Sequence, residues 1–211
     1  MTTPRRSFLG RLGALFALGA VPASFTSLDA AVKEDLPPGP DERWLEATAQ
    51  MEHKIFVETG TLADVPGFRR MLNFLDVYNS DFRVPDARLG AVAGVHGGAI
   101  ALALGDALWA KYALGVRLGV RTAAGAAATA NPYRAGSPAT VEGLAARGVH
   151  VLACNRSLLR LSRELAGASG DAAALHRELL AGTLPQVQVV PALIIAVSRA
   201  QERGIPYIMV S

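Results

Sequence analysis

Short apolar runs alternate along this chain with longer stretches whose apolar positions recur every three to four residues, which predicts a repeated strand–helix order. Residues 54–58, 89–95, 149–153, 187–190 and 207–210 read as strands, and 118–120 as a minor one. The segment 64–78 carries Phe68, Met71, Leu72, Leu75 and Tyr78 at helical spacing, and 99–114 reads as one strongly apolar helix. Further helices are expected over 140–147, 157–168, 171–181 and 192–203, with Gly148, Gly182 and Gly204 as stops. Asp41 is placed to cap a short helix reaching about Met51, with Trp44 and Leu45 on one face. Residues 122–138, interrupted by Gly125, Asn131-Pro132 and Gly136-Ser137-Pro138, read as a loop or lid. Strands without polar alternation imply a sheet covered on both faces and therefore largely parallel. With right-handed crossovers, the expected class is α/β: a single doubly wound, mainly parallel sheet flanked by helices.

The pattern breaks at the N-terminus. Thr3-Pro4-Arg5-Arg6-Ser7-Phe8-Leu9-Gly10 precedes an uncharged apolar run from Leu12 to about Ala23, the arrangement of a twin-arginine export signal. Pro22, Ser24, Thr26 and Ser27 cut the run short of the roughly 20 apolar residues a membrane span needs. Cleavage sites present themselves after Ala23 and after Ala30. The expected organisation is an export signal over 1–30, a polar linker over 31–40 with Pro37-Pro38-Gly39-Pro40, and one α/β domain over 41–211. The expected location is the periplasm, reached through the twin-arginine machinery. A cut after Ala23 takes Arg5, Arg6 and Arg11 and no acidic residue, which brings the 21 basic residues level with the 18 acidic ones. No nucleic-acid surface is implied by that balance.

The site of an open parallel sheet lies at the carboxyl ends of its strands. Here that rule selects Glu58, His96, Gly97, Gly98, Cys154, Asn155 and Pro191. Cys154 is the only cysteine, so the chain has no internal disulfide. It ends one strand and precedes the helix beginning near Arg156 or Ser157. Unpaired amides and the positive end of that helix dipole favour thiolate, the nucleophilic form, and Arg156 adds a positive charge. A small buried hydrophobe is the competing reading of a free cysteine. His96 can donate or accept a proton, or tie down a neighbouring loop. Gly97-Gly98 lets backbone approach a ligand at a helix start. His150 shares the Cys154 face by even spacing but lies about 13 Å down the strand. With neither Cys-x-x-Cys nor His-x-x-Glu-His, no metal and no cofactor are expected. Asp106, Trp109 and Tyr112 fall on the apolar helix and read as packing at a subunit or layer interface, Lys111 on the same helix reads as a solvated lysine with an anionic substrate within reach as the alternative, and Arg199, Gln201 and Glu202 read as an exposed helix end.

Several blocks carry a resemblance. His96-Gly97-Gly98-Ala99-Ile100-Ala101-Leu102-Ala103-Leu104 with 106–112, Asn131-Pro132, 148–155, 190–192 and 199–204 together resemble exported members of the DsrE-like family, over roughly His53 to Val210. The resemblance implies a YchN-like fold, assembly as a homo-trimer or homo-hexamer, and kinship with sulfur-relay proteins in which a strand-end cysteine carries a persulfide. The expected function is therefore periplasmic sulfur handling. Cys154 accepts sulfane sulfur, His96 and the Gly97, Gly98, Asn155 and Arg156 region line the pocket, and a sulfane-sulfur donor and acceptor are the partners. Whether such a carrier turns over as an enzyme stays open. The alternative is a non-catalytic ligand-binding or assembly module with a buried structural cysteine.

Overall fold

The computed structural model describes residues 40–62, 65–134 and 137–210. The export signal and all but the last residue of the linker expected from the sequence lie outside the described residues.

Five parallel strands form one sheet: β1 (His53–Thr59), β2 (Leu89–Val95), β3 (His150–Cys154), β4 (Val187–Val190) and β5 (Tyr207–Val210), in the order β4-β3-β2-β1-β5. The α/β fold read from the sequence is the one found. Helices α1 (Arg43–Ala49), α2 (Pro66–Ser80), α3 (Asp106–Lys111), α4 (Leu114–Arg117), α5 (Val141–Ala146), α6 (Asn155–Ala166), α7 (Ala172–Ala181) and α8 (Leu193–Glu202) surround it. Central β2, Leu-Gly-Ala-Val-Ala-Gly-Val, is buried at every position, and its small side chains let both helical layers approach.

Strand alternation sorts the core into two layers. Val57, Ala93, Val151 and Ala153 face α2, α5 and α6, while Phe56, Val92, Leu152 and Cys154 face α1 and α8. The chain steps from β1 to β4 in one direction with its crossovers on the first face. It then returns over the second face through α8, and places β5 beside β1. Reversing direction while keeping right-handed crossovers requires that change of face. The connections leaving β3 and β4 therefore part to opposite sides of the sheet. This divergence is the topological switch point, where a ligand crevice forms.

Several local expectations need correction. The apolar stretch 99–114 is not one helix: a 3-10 segment (Gly97–Ala103) is followed by extended Leu104 and Gly105, then α3, left-handed Ala113 and α4. Tertiary donors take the carbonyls that a helix would use. Trp109 Nε1 donates to Ala101 O at 3.0 Å, Asn131 Nδ2 to Leu104 O at 2.9 Å, and Leu184 N to Ala103 O at 2.8 Å. Residues 118–119 form a turn and Val120 belongs to no strand, so the expected minor strand is not formed. At the domain start, Asp41 Oδ1 accepts the Arg43 N–H at 3.0 Å, but Glu42 occupies the N-cap of α1. Arg199 is not a free helix end. It forks onto Glu42, at 2.7 Å on the closer arm, and ties α8 to α1.

Candidate functional site

Cys154 ends β3 on the switch point, opposite Val190 of β4. Its residue is buried, with 7% exposed. Formally it is the N-cap of α6, yet its side chain makes no capping bond there. The sulfur points to the other face and accepts the N–H of Leu193, the first residue of α8, at 3.4 Å. The first N–H groups of a helix have no partner within it. The sulfur therefore meets the start of α8 and not that of α6, the helix expected from the sequence. Alternation sends Leu152 and Cys154 to the α8 layer, whereas α6 covers Val151 and Ala153 through Leu158.

His96 follows β2 with extended backbone, and its N–H donates to Thr59 O at 3.1 Å, so the ladder continues one residue past the strand. Val95 pairs with Ala153. That is the last pair of the ladder, and His96 and Cys154 are the next residues of the two strands, in phase with Gly94 and Leu152. Adjacent strands lie about 4.8 Å apart. The imidazole leans toward β1, where Nε2 meets Glu58 Oε1 at 3.0 Å. Glu58 is buried, and its second oxygen accepts the hydroxyl hydrogen of Tyr207 from β5. Tyr207 pairs in register with Phe56, and their rings meet edge to face at 6.3 Å. Burial first, and then the bond to Glu58, push the Tyr207 phenol up to about 12.

The open middle of this arrangement is Gly94. A Cβ there would lie 2.8 Å from Phe56 Cε1 and 2.9 Å from Leu193 Cδ1. Its hydrogen leaves room for the Leu193 side chain, whose own backbone N–H holds the sulfur. Gly97 plays a different part. Its φ of +53° favours glycine, and a Cβ would crowd Gly60 O at 3.0 Å. Its amide is already bound to Ser157 Oγ at 3.0 Å, so it presents no free donor to an anion.

The remaining expected residues scatter. Gly98 lines a groove of about 500 Å³ with Gly60, Leu62, Leu118, Arg121 and Tyr133. Asn155 Oδ1 contacts His176 Nε2 at 2.6 Å and braces α6 against α7. Arg156 is exposed. Lys111 and Tyr112 both bind Glu178 of α7. Among the described residues no three His, Cys, Asp or Glu side chains converge as a metal centre requires. Glu58 was in the strand-end group selected from the sequence, where a carboxylate closing an apolar strand was its signal. Tyr207 and Leu193 were not, because only the tertiary return of α8 and β5 brings them in. The arrangement provides an imidazole oriented by a buried carboxylate and, on the strand beside it, a thiol held by a backbone N–H. Neither a protein-family model nor a curated protein matches the chain.

Proposed function

We propose that this is a sulfur-handling protein of the DsrE-like kind, in which Cys154 accepts sulfane sulfur as a persulfide. The observation that carries the reading is the sulfur at the switch point, held by the Leu193 N–H at the start of α8. A backbone donor and a helix N-terminus both favour thiolate. The thiolate attacks the sulfane sulfur of a donor R–S–SH, the donor S–S bond breaks, and R–S⁻ leaves. The resemblance of 96–112 and 148–155 to DsrE-like proteins supports the same chemistry and a homo-trimeric or homo-hexameric assembly. Arg5-Arg6 and the apolar run behind them support export to the periplasm, where donor and acceptor are to be sought.

Intact-mass analysis before and after exposure to a persulfide donor tests the reading. The protein gains one sulfur, and Cys154→Ser gains none while keeping its circular dichroism spectrum. Loading that survives in Cys154→Ser would sink the proposal. The burial of Cys154 among Phe56, Leu152 and Leu193 favours a second reading, a non-catalytic module with a structural cysteine. That reading requires a thiol that resists alkylation until the protein is unfolded.

A further inference from the structure

Four strands each send one polar side chain to the same end of the sheet: Glu58 from β1, His96 from the continuation of β2, Cys154 from β3 and Tyr207 from β5. The Glu58 side chain is only 10% exposed, on the same face as Phe56, Val92 and Leu152. A buried carboxylate is costly unless it is paired and hydrogen-bonded, and Glu58 is met by His96 on one oxygen and by Tyr207 on the other. A carboxylate only accepts hydrogen bonds, so Glu58 fixes the hydrogen of His96 on Nε2 and leaves the Nδ1 lone pair free. Tyr207 occupies the other carboxylate oxygen and holds its direction. Of the titratable groups near the imidazole, Glu58 meets it directly, Tyr207 stands behind Glu58, and Cys154 follows the paired end of the neighbouring strand β3. α8 brings Leu193 to this face, and Arg156 of α6 is exposed beside the same strand end.

Resting on the persulfide reading above, we infer that Cys154, His96 and Glu58 form a nucleophile–base–orienter line, with Tyr207 as a second positioning residue behind Glu58. The Cys154 S–H proton passes to His96 Nδ1, giving thiolate and imidazolium. The imidazolium keeps its Nε2–H on Glu58. The thiolate then bonds to the outer sulfur of R–S–SH, the S–S bond of the donor breaks, and the departing R–S⁻ takes the proton from His96. Cys154 ends as Cys–S–SH and the donor as R–SH, with no outside oxidant or reductant. The geometry follows the general logic in which a base is itself oriented by a third group.

Alkylation of Cys154 by neutral iodoacetamide across pH, and mass gain from a persulfide donor, are measured on the purified protein and on His96→Asn, Glu58→Gln and Tyr207→Phe. His96→Asn and Glu58→Gln move the alkylation profile to higher pH, and His96→Asn slows loading at pH 7 by about 10²-fold. Tyr207→Phe moves the profile the same way by less, and keeps the test available where a buried glutamine unfolds the protein. A merely structural network leaves all profiles superimposed on the wild type, and that result overturns the inference even where sulfur loads normally. Profiles that shift in the variants while no protein gains sulfur leave the line standing and remove the persulfide reading.

Discussion

Gly94 shows how much a single missing methyl group can decide. Leu193 and Phe56 fill the space above it, and Leu193 in turn delivers its N–H to the Cys154 sulfur. Gly94→Ala forces those side chains apart, which costs about 1–3 kcal/mol as other overpacked cores do. Urea denaturation reads that loss, and iodoacetamide labelling of Cys154 becomes faster as Leu193 withdraws from the sulfur. Gly98→Ala is the control, because its Cβ would meet nothing nearer than Gly60 O at 3.8 Å. Its stability and labelling stay close to wild type. At this scale the sequence exposes the reactive types but not their directions. Cys154 and His96 are legible as strand ends flanked by apolar runs. The face that each side chain takes, and therefore which helix serves the sulfur, depends on the phase of the strand in the sheet. The Tyr207 partnership depends on β5 returning beside β1, which no local pattern around Tyr207 encodes.

Strands were the most legible elements, since each is an apolar run set off by glycine, proline or polar residues. β2, β4 and β5 have the bounds that their runs predict. The apolar stretch after His96 was not legible as a broken helix, because the donors that break it come from Asn131 and Leu184, far along the chain. Asn131 is buried and spends nearly all its capacity on this task. Its Nδ2 reaches Leu102 O and Leu104 O, its Oδ1 accepts from Tyr133 N at 3.1 Å, and its N–H donates to Asp106 Oδ1 at 3.0 Å. Arg134, bound to Asp106 and Glu142, closes the same junction. The loop that the sequence offered as a lid is thus pegged to α3 and α5 at its described C-terminal side. Asn131→Ala leaves two buried carbonyls without their donor, a loss of about 1–3 kcal/mol. Thermal melting measures it, and limited proteolysis cuts first within 121–134. Asn131→Asp restores the shape but not the donors and stays destabilised.

Across the whole molecule, one reversal of winding does two things: it brings the start of α8 to the Cys154 sulfur, and it carries Tyr207 back to Glu58. The pH dependence of stability reports on both sides of that arrangement. On the acid side, burial lowers the His150 imidazole below its ordinary 6.5, so folding favours its neutral form. That contribution is complete above pH 6.5 and is lost as pH falls through the depressed native value. Arg147 lowers Asp86 and Arg199 lowers Glu42, from ordinary values of 3.8 and 4.5. Their contributions are complete above those values and are lost as pH falls through the lower native ones. Stability therefore begins to decline near pH 6.5 and falls more steeply below about pH 4.5. On the alkaline side the sign reverses. Tyr207 has a native value of about 12 against an ordinary 10.0, so folding favours the protonated phenol. Its contribution is complete below pH 10 and is lost as pH rises toward 12. Tyr207→Phe has no proton to lose, so the stability difference between wild type and variant shrinks across that window. Denaturant midpoints at pH 8, 10, 11 and 12 measure the difference. A gap that stays constant from pH 8 to 12 means that the phenol is not held by Glu58, and the support that Tyr207 gives the His96 site falls with it.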